Sequence, residues 1–365
     1  MTLFTALKDA NILVTGHSGF TGGWVCHVLK QFGAQIHGLA LPPLTHPSMF
    51  DLTKVETLLT SQKWIDIAHD KAVLDHVADI KPDAILHLAA QPLVLPSYAD
   101  PIGTFRTNVL GTVNVLEAAR QTASVKGIVA ITTDKVYANS ESGLPFKEGA
   151  RLGGHDPYSA SKAAAEMAID GYRRSLPSWR RKMVIDTARG GNIIGGGDWS
   201  EHWLIPDYAR AILNNKPIAI RNPRALRPWQ HVLCLVHGYL ILLDRILSGE
   251  TAKTAESHGE AWNFGPAATD CVTVHTVLEK LARYWSPADL TFERGEQYEA
   301  KNLMINSSKA AQHVGWRPAY SFDESLALTA QWYKTYQLNP DDLPALTETQ
   351  LIQYFEKIEQ TSSIQ

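Results

Sequence analysis

The sequence is poor in cysteine, with three among its 365 residues: Cys26, Cys234 and Cys271. They are odd in number and far apart, which argues against a disulfide framework and a clustered zinc site and favours a reducing compartment. The N-terminus lacks the charged start, apolar stretch and cleavage site of a signal peptide, and no apolar run is long enough to span a bilayer. We therefore expect a soluble, cytoplasmic protein with no membrane partner.

An excess of one charge is missing too. The formal net charge is -3 and the pI is about 6.5, and the basic residues form no phosphate-tracking stripe, so we predict no nucleic-acid partner. None of the 14 histidines forms a metal-like pair with a carboxylate. We predict no metal, and interpret His87, His155 and His231 as packing or hydrogen-bonding residues.

What the sequence does contain is an alternation of short apolar runs with amphipathic stretches. NILVTG, AQIHGLAL, PDAILHLAA and VKGIVAITT are such runs. They predict an α/β fold, a doubly wound parallel sheet, with helices over residues 103–120 and 159–174. The chain becomes glycine-rich and less regular after Thr187, which indicates a smaller C-terminal substrate lobe. We place the first domain at residues 1–190, with a return around 228–258, and the lobe at 191–227 and 259–365.

Three glycines follow the first apolar run in NILVTGHSGFTGG, at positions 16, 19 and 22. Such glycines let the backbone approach a pyrophosphate and aim a helix N-terminus at it, although a plain tight turn is an alternative. The acid expected after the second strand is absent from GLALPPLTHP, so the sequence leaves NAD and NADP both open. Asp66 is placed to reach an adenine amino group, or else is a solvated loop acid.

Two groups of polar residues are candidates for catalysis. Tyr158 and Lys162 are four residues apart on a predicted helix, so they share one face. We expect the ammonium to lower the pKa of the phenol, which would then take a proton from a sugar hydroxyl. The second group is Thr133, Asp134 and Lys135, where a buried strand ends. Surface contacts and a solvated strand end are the respective alternatives.

Eight stretches, in their order along the chain, resemble the extended short-chain dehydrogenase/reductase family, and within it the CDP-glucose 4,6-dehydratases. They are TGHSGFTGGW, HLAAQPLV, TNVLGTV, TTDKVY, LGGHDPYSASKAAAE, GNIIGGGDW, IRNPRALRPWQHV and AWNFGP. The similarity runs from about Asn11 to near Ser325. The resemblance implies a Rossmann sheet, NAD as cofactor and a nucleotide sugar, CDP-glucose favoured, as substrate.

The resemblance also implies roles for single residues. The implied catalytic residues are Thr133, Asp134, Lys135, Tyr158 and Lys162. The implied cofactor-binding residues are Gly16, Ser18, Gly19, Phe20, Gly22, Asp66, Ile67, Leu88, Ala89, Ala90 and Asn108, together with Tyr158 and Lys162. The implied substrate-binding residues are Asn192, Arg221, Arg227, Asn263 and Glu299, although Tyr298 replaces the histidine that the family has before this acid.

The implied reaction is oxidation at carbon 4, loss of water across carbons 5 and 6, and hydride return to carbon 6. Tyr158 would take the 4-hydroxyl proton, Lys135 the carbon 5 proton, and protonated Asp134 would donate to the leaving 6-hydroxyl. Lys135 has two alternative roles, holding a water or orienting Asp134.

Departures from the family concern the substrate. SESGLPFKEG replaces a tryptophan-rich loop, Leu95 a common arginine and Val136 a usual cysteine. Another nucleotide-sugar epimerase, decarboxylase or dehydratase therefore stays open, as does a non-catalytic NAD-binding protein. Asp134 with Lys135 disfavours an epimerase, and the intact Tyr158 and Lys162 disfavour the non-catalytic protein. The resemblance also implies a homodimer or a dimer of dimers, formed by the helices around Asn108 and Ser161.

Overall fold

The computed structural model describes residues 3–139, 141, 143–250, 258–267, 270–293 and 303–362. Their strands are β1 Asn11–Thr15, β2 Gln35–Ala40, β3 Ser61–Trp64, β4 Ala84–His87, β5 Gly127–Ile131, β6 Val184–Arg189, β7 Ile193–Ile194, β8 Ile218–Ile220, β9 Leu226–Pro228, β10 Gln230–His231, β11 Ala261–Asn263, β12 Cys271–Thr273 and β13 Leu290–Phe292. Their helices are α1 Phe20–Gln31, α2 Met49–Leu52, α3 Asp70–Ile80, α4 Val94–Ala99, α5 Pro101–Phe105, α6 Thr112–Gln121, α7 Pro157–Ser175, α8 Leu204–Asn214, α9 Val232–Leu247, α10 Val274–Tyr284, α11 Ser308–His313, α12 Phe322–Leu338 and α13 Leu343–Ser362.

Seven strands form one parallel sheet in the order β3-β2-β1-β4-β5-β6-β11. The order reverses between β1 and β4, and in such sheets ligands bind at the carboxyl ends of the strands beside that reversal. The predicted doubly wound parallel sheet is therefore confirmed. β1, β4, β5 and β6 are almost wholly buried, which explains their continuous apolar runs.

Helices cover both faces of the sheet. On one face α1 packs against α9, with α12 and α13 outside them; on the other, α3, α6 and α7 pack side by side. The helix predicted over residues 103–120 is present but interrupted, because a π-helical turn, Arg106–Gly111, lies between α5 and α6. The helix predicted over residues 159–174 is α7, which begins two residues earlier because Asp156 caps Ser159 N and Pro157 occupies the first position.

The chain beyond β6 builds three two-stranded sheets, β7 with β10, β8 with β13 and β9 with β12. β11 lies within the range predicted for the lobe and extends the large sheet. The division into two domains stays a prediction. None of the helices in the described ranges has the length and apolar character to cross a bilayer.

Candidate active site

The turn between β1 and α1 brings two parts of the backbone into contact. Gly16 has a φ of +77°, and a Cβ added there would lie 2.8 Å from Ala89 N. A Cβ on Gly22 would lie 2.1 Å from Gly16 O. Within the described part of the chain no side chain caps α1, which begins directly after Gly19. The glycines therefore leave a cradle with free N–H groups at a helix N-terminus, as an anion requires.

The neighbouring cofactor candidates lie on this edge of the sheet. Ser18 Oγ donates to Leu41 O at 2.7 Å, after β2. The backbone N–H groups of Leu88 and Ala89 both donate to Thr15 Oγ1 at 3.2 Å, so the end of β4 is tied to the end of β1. Leu88 and Ala90 line a cavity beside this edge of the sheet.

Three other cofactor candidates have contacts within the protein. Asp66 Oδ1 accepts from Ala68 N at 2.9 Å. Ile67 is buried, and its side chain packs so close to Gly111 that a Cβ there would clash with it. Asn108 is buried; its amide donates to Gln91 O and to Ser161 Oγ. Asn108 therefore joins the loop after β4 to α7.

A cavity of about 600 Å³ lies along the ends of β4, β5 and β6. Its volume is within the range of small-molecule sites. Its walls include all five catalytic candidates and three of the five substrate candidates: Thr133, Asp134, Lys135, Tyr158, Lys162, Asn192, Arg221 and Arg227. Residues separated by up to 94 positions along the chain thus converge on one site.

Tyr158 and Lys162 are both buried on the cavity side of α7. The Lys162 ammonium donates to Ile131 O at 3.1 Å, and burial lowers its pKa to about 8. Burial raises the pKa of Tyr158, and a hydrogen bond with Thr133 offsets only part of this rise. The expectation that Lys162 lowers the pKa of Tyr158 is therefore not met, because the loss of solvent around the phenol raises the pKa and the charges of Asp134 and Asp156 raise it further.

Asp134 is 2% exposed, and burial raises the pKa of its carboxyl although Lys135, Thr133 and Arg227 act in the opposite direction. Oδ1 accepts from Thr133 Oγ1 at 3.1 Å. Oδ2 is buried without a hydrogen-bond partner among the described residues. A raised pKa and a vacant oxygen suit a carboxylic acid that donates its proton.

Lys135 is half-buried, and its Nζ lies 6.0 Å from the centre of the Tyr158 ring. Its backbone N–H donates to Thr133 Oγ1 at 3.3 Å. The side chain therefore lies beside the phenol on the cavity wall.

Three of the predicted substrate residues face the cavity. Arg221 is exposed, and Arg227 is buried beside the Asp134 carboxyl. Asn192 has a positive φ of +47°, and its Nδ2 is buried without a partner among the described residues. Two arginines and one amide are a donor set that suits phosphate and sugar oxygens.

Asn263 differs from this expectation. It is fully buried; its Oδ1 accepts from Tyr137 OH at 2.7 Å, and its Nδ2 donates to Phe146 O at 2.9 Å. It does not line the cavity. Its amide joins the loop after β5 to β11, and its assignment to the substrate stays a prediction. Glu299 lies outside the described residues.

A buried ion pair that the sequence did not indicate lies behind the site. Arg189 Nε and Nη2 donate to Glu166 Oε1 and Oε2, both at 2.8 Å, and the two side chains are 4% and 3% exposed. Both residues stand in runs that look ordinary for a helix and a strand. The described residues contain no group of three or more His, Cys, Asp or Glu side chains that could hold a metal; the prediction of no metal stays a prediction.

The model of one known protein family, described as GDP-mannose 4,6 dehydratase, matches residues 13–329. The chain belongs to this family. The resemblance seen in the sequence is therefore confirmed at the level of the family.

Two relatives in the dehydratase family cover nearly the whole chain. A CDP-glucose 4,6-dehydratase of Salmonella typhimurium is 38% identical over 342 residues, which are 92% of this chain and 94% of that protein. A dTDP-glucose 4,6-dehydratase of Neisseria gonorrhoeae is 30% identical over 341 residues, 88% of this chain and 95% of that protein. They support an enzyme of the nucleotide-sugar 4,6-dehydratase kind.

Solved structures share the family fold. DesIV, a dTDP-glucose 4,6-dehydratase of Streptomyces venezuelae with NAD and TYD bound, has a TM-score of 0.74 at 22% identity and covers 92% of this chain and 99% of its own. The UDP-glucose 4-epimerase of Thermotoga maritima with UDP-glucose has a TM-score of 0.75 at 20% identity, covering 89% and 99%. One scaffold thus carries dehydratases and epimerases, so the chemistry must be argued from the site.

Proposed function

We propose that this protein converts CDP-D-glucose to CDP-4-keto-6-deoxy-D-glucose, with NAD as an internal redox cofactor. The observation that carries the proposal is the Asp134 carboxyl, buried with a raised pKa and a vacant oxygen on the same cavity wall as Tyr158 and Lys162. An alcohol oxidation or a 4-epimerisation uses a tyrosine and a lysine. A buried acid in addition serves the loss of water.

The residues at the sheet edge fit NAD. Gly16, Gly19 and Gly22 would hold its pyrophosphate, because a Cβ at Gly22 would fill the cradle and α1 has free N–H groups there. Leu88, Ala90 and Asp66 border the same edge. When bound, NAD supplies the two-electron acceptor and donor for the sugar, and a positive ring charge that favours the Tyr158 phenolate.

For the oxidation, Tyr158 would accept the proton of the sugar 4-hydroxyl. Lys162 holds the strand end through Ile131 O and carries its positive charge below a pKa of about 8. Thr133 contributes a hydrogen bond to Tyr158. Lys162 and Thr133 are therefore the side chains proposed to support Tyr158 in this role.

For the elimination, Asp134 would donate its proton to the departing 6-hydroxyl. Burial keeps the carboxyl protonated to a higher pH than a solvated aspartate, as an acid in this role requires. Lys135, beside the phenol, is the proposed base for the carbon 5 proton. Holding a water or orienting Asp134 are its alternative roles.

The substrate would be held by charge and by amide donors. Arg227 and Arg221 would bind the diphosphate, and Asn192 offers to the sugar or ribose a buried N–H group that has no partner among the described residues. The 38% identical relative named for CDP-glucose supports this base and sugar.

Assembly as a homodimer or a dimer of dimers is part of the proposal. Apolar side chains on α5, the π-helical turn and α7 support it, with Ile102 71%, Leu110 56% and Met167 58% exposed. Sedimentation velocity would test it, and a monomer at all concentrations would contradict it. The cytoplasmic location stays a prediction.

The test of the reaction is to incubate the purified protein with NAD and, separately, CDP-glucose, UDP-glucose, dTDP-glucose and GDP-mannose. Alkaline absorbance and mass spectrometry report a 4-keto-6-deoxy product that has lost one water. We expect the highest kcat/KM with CDP-glucose. If the protein formed no product from CDP-glucose but turned over another nucleotide sugar, that sugar would replace CDP-glucose as the proposed substrate. Exchange of the carbon 4 configuration without water loss would replace the reaction class by epimerisation.

A further inference from the structure

The buried pair of Arg189 and Glu166 makes further hydrogen bonds to the segment that follows β5. Besides the two bonds between them, Glu166 accepts from Thr132 Oγ1 at 2.6 Å, and Arg189 donates to Tyr137 OH at 2.9 Å. Hydrogen bonds with Arg189 and its charge outweigh burial, so the pKa of the Glu166 carboxyl is lowered and it stays ionised. Since an apolar pair often stabilises a core equally well, the retained charges call for a role.

The position of Glu166 connects it to the start of the catalytic segment. Lys162 and Glu166 lie on successive turns of α7 and hold successive residues at the end of β5. Lys162 donates to Ile131 O, and Glu166 accepts from Thr132. Thr133 and Asp134 follow directly, so Lys162 and Glu166 hold the backbone at the start of the segment that carries Asp134.

The position of Arg189 connects it to the other side of the same carboxyl. Arg189 ends β6, and the next residue, Gly190, accepts from Asp134 N at 3.0 Å. A Cβ on Gly191 would lie 2.1 Å from Asp134 Oδ2, so that backbone forms one wall of the carboxyl site. The ion pair with Glu166 thus joins the two backbone segments that enclose Asp134.

Apart from its hydrogen bond with Thr133, Tyr158 is positioned by contacts outside this segment. Its backbone N–H donates to Ser97 Oγ at 3.1 Å, and the first turn of α7 is capped by Asp156. Glu166 lies two turns further along the helix. A small change at the ion pair therefore moves Asp134 more than the tyrosine oxygen.

From these contacts we propose that Glu166 and Arg189 are positioning residues for water elimination, which hold the Asp134 carboxyl for proton donation to the leaving hydroxyl. The inference rests on the proposed dehydratase function. Loosening the pair should slow elimination while leaving the oxidation at carbon 4 nearly intact. The two steps separate because one acid serves elimination and a different residue serves oxidation.

The decisive variant is Thr132→Val, which keeps the shape and removes the donor that links the end of β5 to Glu166. Arg189→Lys is the second variant, because it keeps the charge but loses the two-pronged contact. The matched control is Thr187→Val. Thr187 Oγ1 donates to Glu166 Oε2 at 3.2 Å, but it lies within β6, where its register partner is Ala130 of β5, two residues before Thr132.

The experiment is rapid mixing of NAD-loaded enzyme with CDP-glucose, following reduced NAD by absorbance and product by quenched sampling. For Thr132→Val and Arg189→Lys we expect product formation to fall about 10-fold to 100-fold, the cost of misplacing a catalytic group by about 1 Å. The first appearance of reduced NAD should change by less than about 3-fold, so reduced NAD accumulates, and Thr187→Val should change neither rate. The infrared band of the Asp134 carboxyl can be assigned by its loss in Asp134→Asn. The pH at which this band titrates should shift in Thr132→Val and Arg189→Lys and stay unchanged in Thr187→Val.

Equal losses of both steps, or equal losses in Thr187→Val, would overturn the proposal and leave the pair a purely structural feature. Unchanged kinetics in Thr132→Val would also overturn it, even if Arg189→Lys does not fold. Failure of the proposed function is distinguishable, because the wild-type enzyme would then form no product from CDP-glucose.

Discussion

Replacing Gly22 by alanine tests the cofactor cradle most directly. The added Cβ would lie 2.1 Å from Gly16 O and 2.8 Å from both Gly16 C and His17 Cα, and all three are backbone atoms without a rotamer to escape into. The first turn of α1 must therefore move away from the glycine turn. Overpacking of this kind costs about 1–3 kcal/mol. If this cost applies to the NAD-bound conformation, the affinity for NAD should drop about 5-fold to 150-fold, since about 1.4 kcal/mol is a factor of ten.

The assay is isothermal titration of NAD into wild-type protein, Gly22→Ala and the control Gly171→Ala. Gly171 lies within α7, and a Cβ there would meet nothing within 4 Å. The control should bind NAD as the wild type does, and gain about 0.5–1 kcal/mol of stability from the lost backbone entropy of glycine. Undiminished NAD affinity in Gly22→Ala, with its fold intact by circular dichroism, would refute the cradle.

Three further predictions follow from buried groups. Asp134→Asn should slow product formation about 100-fold to 10,000-fold while reduced NAD accumulates, and a parallel loss of NAD reduction would contradict its role as the acid. Lys162→Met should abolish turnover yet raise the free energy of unfolding at neutral pH by up to about 3 kcal/mol, because burial lowers the pKa of the ammonium from 10.5 to about 8. The unfolded chain binds the extra proton between these values, so wild-type stability should rise across that window in urea titrations, and a flat profile would argue against a buried ammonium. Gly196→Ala should lower the free energy of unfolding by about 1–3 kcal/mol in the same titrations, since its Cβ would lie 1.9 Å from Cγ of the buried Trp332. A variant as stable as the wild type would contradict such close packing.

The parts of the site that the sequence predicted are those carried by local patterns. Glycine spacing marks the turn after β1, where Gly22 has a local steric reason, since a Cβ there would meet Gly16 O. Tyr158 and Lys162 are four apart, and helix geometry alone puts them on one face. Thr133, Asp134 and Lys135 follow an apolar run that a buried parallel strand requires. The family resemblance then supplied the roles.

Other features depend on contacts between residues far apart in the chain. Asn263 looked like a substrate contact, but packing places it opposite Tyr137, where its amide is fully used. Arg189 and Glu166 are 23 residues apart, and neither neighbourhood signals a partner. The direction of the pKa change at Tyr158 follows from how much solvent the fold removes, which residue spacing does not encode.

The sequence by itself determined the doubly wound sheet, the glycine turn and the residue types of the reaction, because periodicity and steric demands act over a few neighbouring residues. Only the tertiary structure decided which of these side chains share a cavity, which are buried, and which direction their pKa values take. Those properties depend on solvent exclusion and on the distances between charges, and both are set when distant segments pack together. The Asp134 carboxyl combines the two: its place after β5 is local, and its raised pKa is a consequence of the whole fold.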